Sequence, residues 1–256
     1  MGCNAFEGLS PDPTDGGAGD GPSTSDGGRG STYAAAVLKD SPDGYWRFEE
    51  TSGDVAQNEI KGGATCALKN DATFEENGIV SSRALNVKGN GQNGPSVADC
   101  GDDIGFDTKS SFSIETWINP TSGGDFQQFY SHGTGAGDNR TGYIGYVQDN
   151  GLRFDTYDVG FACFVYGGEI QSSAYSHVVV TYGSGTLNMY VNGKFAGTAK
   201  CAKIPVPTSD GPFVLGGNSQ INCCGFKGRI DEVAVYSKVL SDTQIQAHYD
   251  AANVGR

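Results

Sequence analysis

The chain is poor in features that several classes of protein need. Only 18% of its 256 residues are charged, and 30 Asp and Glu outnumber 17 Lys and Arg, for a formal net charge of -13. Nucleic-acid-binding proteins usually carry basic patches, so this balance argues against such partners. No apolar run approaches the ~20 residues of a membrane-spanning helix. Two methionines against 40 glycines and 12 tyrosines favour turns and strands over long helices.

Motifs for zinc binding and for glycoside hydrolysis are also missing. No CxxC pair or Cys/His cluster with zinc-finger spacing occurs, so a structural zinc site is not expected. Retaining glycosidases hold two carboxylates ~5 Å apart, as on the E-x-D-x-x-E strand of laminarinases, which this chain lacks. Adjacent acidic residues such as Asp231-Glu232 would point to opposite faces of a strand. We therefore expect no enzyme activity; a glycoside hydrolase with unfamiliar catalytic residues is the less favoured alternative.

Seven cysteines are spread along the chain. In a tyrosine-rich β chain they favour disulfides formed in an oxidising compartment, and hence an extracellular or cell-surface protein. Six of them are expected to form up to three disulfides with open connectivity. Adjacent cysteines should choose different partners, because a strand directs them to opposite sides and a bridge between neighbours is strained. The six are Cys66, Cys100, Cys163, Cys201, Cys223 and Cys224.

The first 31 residues differ in composition from the rest. Of these, 22 are Gly, Pro, Asp, Ser or Thr, which predicts a flexible linker over 1–31 and one domain over 32–256. Met1-Gly2-Cys3 is similar to the end of a bacterial lipobox, which indicates a lipid anchor on Cys3 and a surface lipoprotein, for example in an outer membrane. Eukaryotic myristoylation of Gly2 is the rival, but Phe6 stands where that motif has Ser or Thr.

From residue 32 onward the chain has the pattern of strands and turns that is typical of a β-sandwich. Short strand-like runs alternate with Gly, Asn and Asp turns. The pairs Asn150-Gly151 and Asn192-Gly193 suit the positive backbone angles of type I′ hairpin turns. One short C-terminal helix is expected at about 241–251, since Ser241 and Gln244 form a capping box.

Four blocks carry a family resemblance. They are Tyr45–Gly53 (YWRFEETSG), Phe112–Pro120 (FSIETWINP), Tyr175–Gly193 and Gly228–Tyr236 (GRIDEVAVY). In this order they resemble LamG-like jelly-roll domains of the laminin G/concanavalin A-like lectin/glucanase superfamily. One departure is Tyr175 (or Ser176), where the family usually has Trp. The resemblance implies an all-β fold, a two-sheet antiparallel jelly-roll sandwich, but no single function.

The resemblance also implies two structural roles for acidic residues. Arg47, Glu115 and Glu232 are expected to form a buried ion network that joins the first and last strands. Relatives often hold a structural Ca²⁺ where these strands meet, and the expected side-chain ligands are Glu50, Asn58 and Asp231, since Ca²⁺ prefers oxygen ligands. The alternative is that these three residues make ordinary hydrogen bonds.

A ligand site is expected on the sheet built from residues 126–166, where aromatic residues concentrate. Exposed rings can stack on sugars, and a glycine-rich loop, 133–142, can adapt over them. The candidate residues are the stacking rings Tyr143, Tyr157 and Tyr166 with the polar residues Asp138 and Arg140. The resulting hypothesis is a non-catalytic extracellular binding or adhesion module for a glycan or a surface partner. The alternative is a structural spacer with no small ligand.

Overall fold

The described part of the chain contains two helices and eighteen strands. The structure is a computed structural model, and it describes residues 27–80, 82–104, 111–121, 126–134, 141–158, 161–201, 211–218 and 223–253. The helices are α1 (Gly27–Lys39) and α2 (Asp242–Asn253). The strands are β1 (Gly44–Trp46), β2 (Val55–Ala56), β3 (Cys66–Lys69), β4 (Thr73–Glu76), β5 (Arg83–Lys88), β6 (Asn90–Gly91), β7 (Gly94–Pro95), β8 (Val97–Asp99), β9 (Ser111–Pro120), β10 (Gln127–His132), β11 (Gly142–Gln148), β12 (Gly151–Tyr157), β13 (Phe161–Glu169), β14 (Ser176–Gly183), β15 (Thr186–Val191), β16 (Lys194–Lys200), β17 (Phe213–Leu215) and β18 (Lys227–Tyr236).

The strands form two large antiparallel sheets. Sheet A has the order β16-β15-β14-β9-β18-β5-β4, with β1 also paired to β18. Sheet B has the order β13-β12-β11-β10-β17-β8-β3-β2. Strands β6 and β7 form a separate two-stranded ribbon. This architecture confirms the predicted all-β, two-sheet jelly-roll sandwich with a short C-terminal helix.

The main core lies between the two sheets and is rich in aromatic rings. Phe112 of sheet A stacks on Tyr143 of sheet B at a centroid distance of 5.9 Å, and Tyr143 stacks on Phe154 at 5.5 Å. Aromatic side chains bury large areas, on the order of 150–250 Å² each. Stacked rings from both sheets therefore account for much of the apolar burial that holds the sandwich together.

A second apolar cluster lies on the outer face of sheet A, under both helices. It contains Tyr33 and Val37 from α1, Ile245 from α2, and Trp117 and Tyr236 from the sheet. The central strands of sheet A are consequently covered on both faces. Nearly every residue of β9, β14 and β18 is buried for this reason.

The two predicted hairpin turns have different outcomes. Asn192 and Gly193 both have positive φ, 52° and 76°, as a type I′ turn requires. The other turn lies one residue earlier than predicted. Gln148 pairs with Gly151, and the positive φ values fall on Asp149 (50°) and Asn150 (64°), so Gly151 belongs to β12.

The C-terminal helix begins as its capping box predicted. The Ser241 backbone N–H donates to Gln244 Oε1 (2.9 Å), and the Gln244 N–H donates to Ser241 Oγ (3.3 Å). Leu240 and Ile245 are both buried on sheet A. Reciprocal capping satisfies two donors that a helix start leaves without intrahelical partners.

Helix α1 was not predicted from the sequence, which indicated one helix and a linker through residue 31. It spans the predicted boundary at residues 31 and 32, and Tyr33, Ala34 and Val37 are buried. Glycine disfavours helices, so the glycine-rich start gave no indication of a helix in the sequence. Packing of Tyr33 and Val37 on sheet A stabilises it. Cys3 and the rest of 1–26 lie outside the described residues, so the linker and the anchor stay predictions.

Three disulfides connect the six predicted cysteines. Cys66–Cys100 joins β3 to the residue that follows β8, and Cys163–Cys201 joins β13 of sheet B to the residue that follows β16 of sheet A. The third joins Cys223 to Cys224, so the prediction of different partners for these neighbours was wrong. It assumed an extended strand, whereas Cys224 has a φ of 65°.

A buried carboxylate joins both helices to sheet A. Glu115 Oε1 accepts hydrogen bonds from the Tyr33 hydroxyl (2.7 Å) and His177 Nε2 (2.8 Å). Its Oε2 accepts from the Tyr236 hydroxyl (3.0 Å) and His248 Nδ1 (2.9 Å). We call these five residues the Glu115 cluster. Four donors offset the cost of burying this charge.

His248 of this cluster lies between two carboxylates, those of Glu115 and Asp40. Its Nε2 lies 3.0 Å from Asp40 Oδ2, so both ring nitrogens face carboxylates and both donate when the ring is protonated. Burial alone would lower the pKa of His248, but the Glu115 carboxylate and Asp40 raise it to about 9. Burial alone would raise the pKa of Glu115, but the His248 charge and the hydrogen bonds from His177 and His248 hold it well below its usual range.

The raised pKa of His248 predicts a loss of stability at alkaline pH. Its contribution is fully present below the unfolded-state pKa of 6.5 and is lost as the pH rises through about 9. We expect His248→Gln to destabilise the protein by on the order of 3 kcal/mol at about pH 6 and by much less at about pH 9.5. Chemical denaturation of both proteins at the two pH values measures this gap. If the variant lost the same free energy of unfolding at both pH values, His248 would contribute by packing alone.

Candidate ligand-binding face

The outer face of sheet B differs from that of sheet A in what covers it. Both described helices pack on sheet A. No described helix packs on the outer face of sheet B. Its strands β10 to β13 carry the aromatic-rich segment 126–166. Rings on this face are therefore not covered by a described helix.

Strand alternation decides which side chains reach this face. On β12, Leu152 and Phe154 are buried in the main core, so Arg153, Asp155 and Tyr157 point outward. Residues paired across neighbouring antiparallel strands share a face. Arg153 pairs with Tyr146 and Tyr166, and Asp155 pairs with Phe164. We call the outward residues Phe126, Tyr146, Arg153, Asp155, Tyr157, Phe164 and Tyr166 the aromatic face.

Three rings of the aromatic face are substantially exposed. Tyr166 and Phe126 are each 50% exposed, and Phe164 is 43% exposed. The Phe126 ring stacks on the buried Tyr146 ring, with centroids 5.6 Å apart and planes inclined by 24°. Single exposed aromatic residues are common on protein surfaces, whereas several on one sheet face are characteristic of an interaction site.

A polar network lies between these rings. Asp155 Oδ1 accepts from Arg153 Nε (2.6 Å), and its Oδ2 accepts from the hydroxyls of Tyr146 and Tyr157 (3.1 Å each). The Arg153 guanidinium also lies over the Phe164 ring, 4.2 Å from its centroid. Burial and the neighbouring Asp155 raise the pKa of Tyr146 above its ordinary value, so its hydroxyl keeps its proton. Asp155 thus holds the Arg153 guanidinium and the phenol rings of Tyr146 and Tyr157 in place.

The position of Tyr166 is set by a close contact with the preceding hairpin. A Cβ at Gly151 would lie 2.3 Å from the Tyr166 Oη, so the ring occupies the space that a side chain would take. Gly167 follows Tyr166 in the chain, and a Cβ at Gly167 would lie 2.4 Å from the Ala196 carbonyl oxygen of β16. The edge strands of the two sheets therefore approach backbone to backbone beside Tyr166.

The predicted ligand residues fall into three groups. Tyr166 is half-exposed and Tyr157 is half-buried on the aromatic face. Tyr143 was wrong as a stacking ring, since it is 1% exposed, stacks in the core and hydrogen bonds to His132 Nδ1. It lies three positions from Tyr146, an odd separation that places it on the opposite face of β11. Asp138 and Arg140 lie outside the described residues.

Sequence reasoning missed several members of the aromatic face, namely Phe126, Tyr146, Arg153, Asp155 and Phe164. The alternation of β12 could have found two of them. Once Leu152 and Phe154 are assigned to the core, Arg153 and Asp155 must point outward. Phe126 carries no such signal, because its exposure depends on a turn with a φ of 57°.

The predicted ion network divides into two separate groups. Arg47 Nε lies 3.3 Å from Glu232 Oε1, and the Tyr45 hydroxyl donates to the same carboxylate, which joins β1 to β18 as expected. Glu115 instead belongs to the Glu115 cluster. The bulge in β18 between Asp231 and Ala234 keeps both adjacent carboxylates buried. Burial raises the pKa of Glu232 to about 7, although Arg47 and Tyr45 oppose this.

The three predicted calcium ligands have other partners. Asn58 Oδ1 accepts from the backbone N–H of Tyr45 (3.1 Å) and Ile60 (2.9 Å). The Asp231 oxygens accept from the N–H of Ile79 and Glu232 (2.9 Å each). One Glu50 oxygen accepts from the Gln57 N–H (2.6 Å), and its buried Oε2 has no described partner. Among the described residues, no three His, Cys, Asp or Glu side chains form a group that could hold a metal. Calcium stays a prediction.

One groove lies away from the aromatic face. It has a volume of about 490 Å³ and lies between the β15–β16 hairpin and α2. Phe195, 58% exposed, contacts Tyr190 edge to face on its wall. The Tyr190 hydroxyl donates to Asp242 (2.7 Å). This groove supplies an exposed ring on sheet A for comparison with Tyr166.

A family comparison agrees with the fold. The model of the concanavalin A-like lectin/glucanases superfamily, a laminin G family, matches residues 90–246, which is more than half of the chain. The chain belongs to this superfamily. A search of curated proteins finds no match. As a concanavalin A-like domain, the protein shares its architecture with many solved structures.

Three solved structures illustrate the likeness of this concanavalin A-like domain. The binding domain of Paraclostridial Mosquitocidal Protein 1 is 16% identical, with a TM-score of 0.64 over 84% of this chain and 53% of that one. Domain 4 of AbnA, an extracellular GH43 arabinanase from Geobacillus stearothermophilus solved with arabinotriose, is 15% identical, with a TM-score of 0.63 over 82% and 98%. The Ruminococcus gnavus IT-sialidase CBM40, bound to α2,3 sialyllactose, is 18% identical, with a TM-score of 0.55 over 68% and 97%.

The chain thus spans about half of the toxin binding domain and nearly all of the two shorter domains. At these identities the likeness concerns the fold. Neither helix in the described part of the chain is long and apolar enough to cross a membrane.

The contrast between core and surface rings predicts opposite effects on stability. Tyr143→Ala should lower the free energy of unfolding by about 3–5 kcal/mol, because it leaves a cavity between the sheets. Tyr166→Ala should change it by no more than about 0.5 kcal/mol, as for an exposed substitution. Urea denaturation of both variants measures the difference. A loss of several kcal/mol for Tyr166→Ala would mean that this ring is part of the core.

A calcium site at Glu50, Asn58 and Asp231 predicts a melting temperature that rises with calcium concentration, since binding to the folded state alone stabilises it. Asn58→Ala should remove this dependence, whereas Asp54→Asn, an exposed neighbour, should keep it. Thermal denaturation in EDTA and in increasing CaCl₂ tests both. Identical melting curves in EDTA and in calcium would exclude the site.

Proposed function

We propose that the domain is a non-catalytic binding module that holds a glycan on the aromatic face. The observation that carries the proposal is the group of three half-exposed rings, Phe126, Phe164 and Tyr166, around a fixed Arg153–Asp155 pair. It lies on the sheet face that no described helix covers. The same face was expected from the sequence as the ligand site.

The chemistry of the face suits a sugar. Sugars combine apolar C–H faces with polar hydroxyl edges, and they therefore require flat rings beside hydrogen-bonding groups. Tyr166 and Phe164 supply the rings on β13, and the partly exposed Arg153 and Tyr157, which Asp155 holds in place, supply polar atoms on β12. A largely pre-formed surface with few polar groups is typical of small-ligand sites. The Asp155 network restricts ring motion, which reduces the entropy lost on binding.

The fold neighbours support this proposal. The AbnA domain was solved with arabinotriose and the CBM40 with α2,3 sialyllactose, so this architecture accommodates glycans. A glycosidase is less favoured. Asp231 and Glu232, in β18 of sheet A, are fully buried, and Asp155 is already bonded to Arg153, Tyr146 and Tyr157.

We also propose an extracellular or cell-surface location. Three disulfides are typical of oxidising compartments. The Gly- and Asp-rich segment before residue 27 has the composition of a spacer, and lipid modification at Cys3 would attach it to a membrane. Mass spectrometry of the protein purified from its native membrane, with a Cys3→Ala control, tests the anchor.

A glycan array with the purified domain tests the proposed function. We expect binding to at least one glycan class, and Tyr166→Ala should weaken that binding by about fivefold or more, the effect of losing a stacking ring. Gly151→Ala should act in the same direction, because its Cβ displaces the Tyr166 ring. Phe195→Ala is the matched control, since Phe195 is an exposed ring on sheet A (58%, against 50% for Tyr166).

The outcomes separate the alternatives. An array with no binding would favour a spacer domain, and release of sugar products would favour a glycosidase. Binding that is lost in Phe195→Ala but kept in Tyr166→Ala would move the site to the groove beside α2.

A further inference from the structure

The disulfide between adjacent cysteines lies in the same sheet as the aromatic face. Gln128 of β10 donates its backbone N–H to the Cys224 carbonyl (2.8 Å) and forms a bridge with Gly225. Strand β17 pairs with β10 only at residues 130–132. The Cys224–Gly225 segment therefore continues sheet B beside β10 where β17 has ended.

Pairing places this segment in one row with the aromatic face. Gln128 pairs with Tyr146, Tyr146 with Arg153, and Arg153 with Tyr166. The row thus crosses four inter-strand steps from Cys224–Gly225 to Tyr166. At about 4.8 Å a step it is about 19 Å long. Phe126, whose ring covers Tyr146, lies part-way along it.

The disulfide has properties suited to contact with a ligand. Cys223 and Cys224 are both partly exposed, whereas the other two bridges join cysteines that are buried. A bridge between adjacent residues closes a small covalent ring, so its sulfur atoms have little rotational freedom to lose on binding. Sulfur is polarisable and packs well against apolar surfaces. The bridge can therefore act as a rigid apolar plate.

We propose that the Cys223–Cys224 disulfide is a second contact point of the ligand site, so that the site binds an extended oligosaccharide. One end of the sugar chain stacks on Tyr166 and the other lies on the disulfide, about 19 Å away. This inference rests on the proposed glycan binding. Beyond that proposed function, the inference states that the ligand is a linear chain of several sugar units. It also states that the affinity for this chain depends on the closed disulfide.

The test compares affinity across chain length. The probes are linear arabinan, β-1,3-glucan and β-1,4-glucan oligosaccharides of about two to six units, with α2,3-sialyllactose as a short ligand, measured by calorimetry. For the wild type, we expect affinity to increase with length until the chain spans the row. The double variant Cys223→Ser/Cys224→Ser should lose about tenfold in affinity for the longest bound chain and less than about twofold for the shortest.

A matched control removes a different bridge of the same sheet. Cys66→Ser/Cys100→Ser should lower stability while leaving the length dependence unchanged, since β3 and β8 lie outside the row. If the first double variant does not fold, mild reduction and alkylation of the wild type at Cys223 and Cys224, verified by peptide mass spectrometry, provides the same comparison.

Each outcome supports or overturns a defined statement. Length-dependent affinity that the bridge variant removes supports the inference. Binding that Tyr166→Ala weakens, but that depends neither on length nor on the bridge, overturns the inference and leaves the proposed function intact. Absence of binding by every probe and by the glycan array overturns both.

Discussion

The buried carboxylate of Glu115 is the interaction on which the arrangement of the layers depends. A single charged group accepts hydrogen bonds from α1, from α2 and from two strands of sheet A. An unpaired buried charge is very costly, so all of these elements must be in place together. The helices therefore have one defined position, over sheet A. The outer face of sheet B, with the half-exposed rings Phe126, Phe164 and Tyr166, is left without a described helix over it.

Local sequence patterns predicted the parts of the fold that local chemistry determines. The capping box of α2, the turn at Asn192 and the strands around the four family blocks depend on neighbouring residues, and they were confirmed. Helix α1 depends on distant contacts, because Tyr33 and Val37 gain their stability from sheet A. A glycine-rich helix start gives no local indication of such contacts. The Glu115 cluster has the same origin, since its members are separated by up to 215 positions in the sequence (Tyr33 to His248).

The candidate site was predicted at the level of the sheet and less well at the level of the residue. Aromatic density indicated strands β10 to β13, but density does not tell which rings point outward. Tyr143 and Tyr146 illustrate the difficulty, as each lies on a different face of one strand. The disulfide between Cys223 and Cys224 was missed because an extended backbone was assumed there. Positive φ at Cys224 is a feature that composition and spacing do not reveal.

The position of the two helices has a consequence for how the domain is oriented when it is attached to something else. The chain enters the described fold through α1 and leaves it through α2, and both helices lie on the outer face of sheet A. A segment joined to either helix starts from the side of the sandwich opposite the aromatic face. A domain held at a surface through its N-terminal segment would thus be attached on the side away from Tyr166 and its neighbours. Attachment through either helix and the proposed recognition on the aromatic face would therefore use opposite faces of the sandwich.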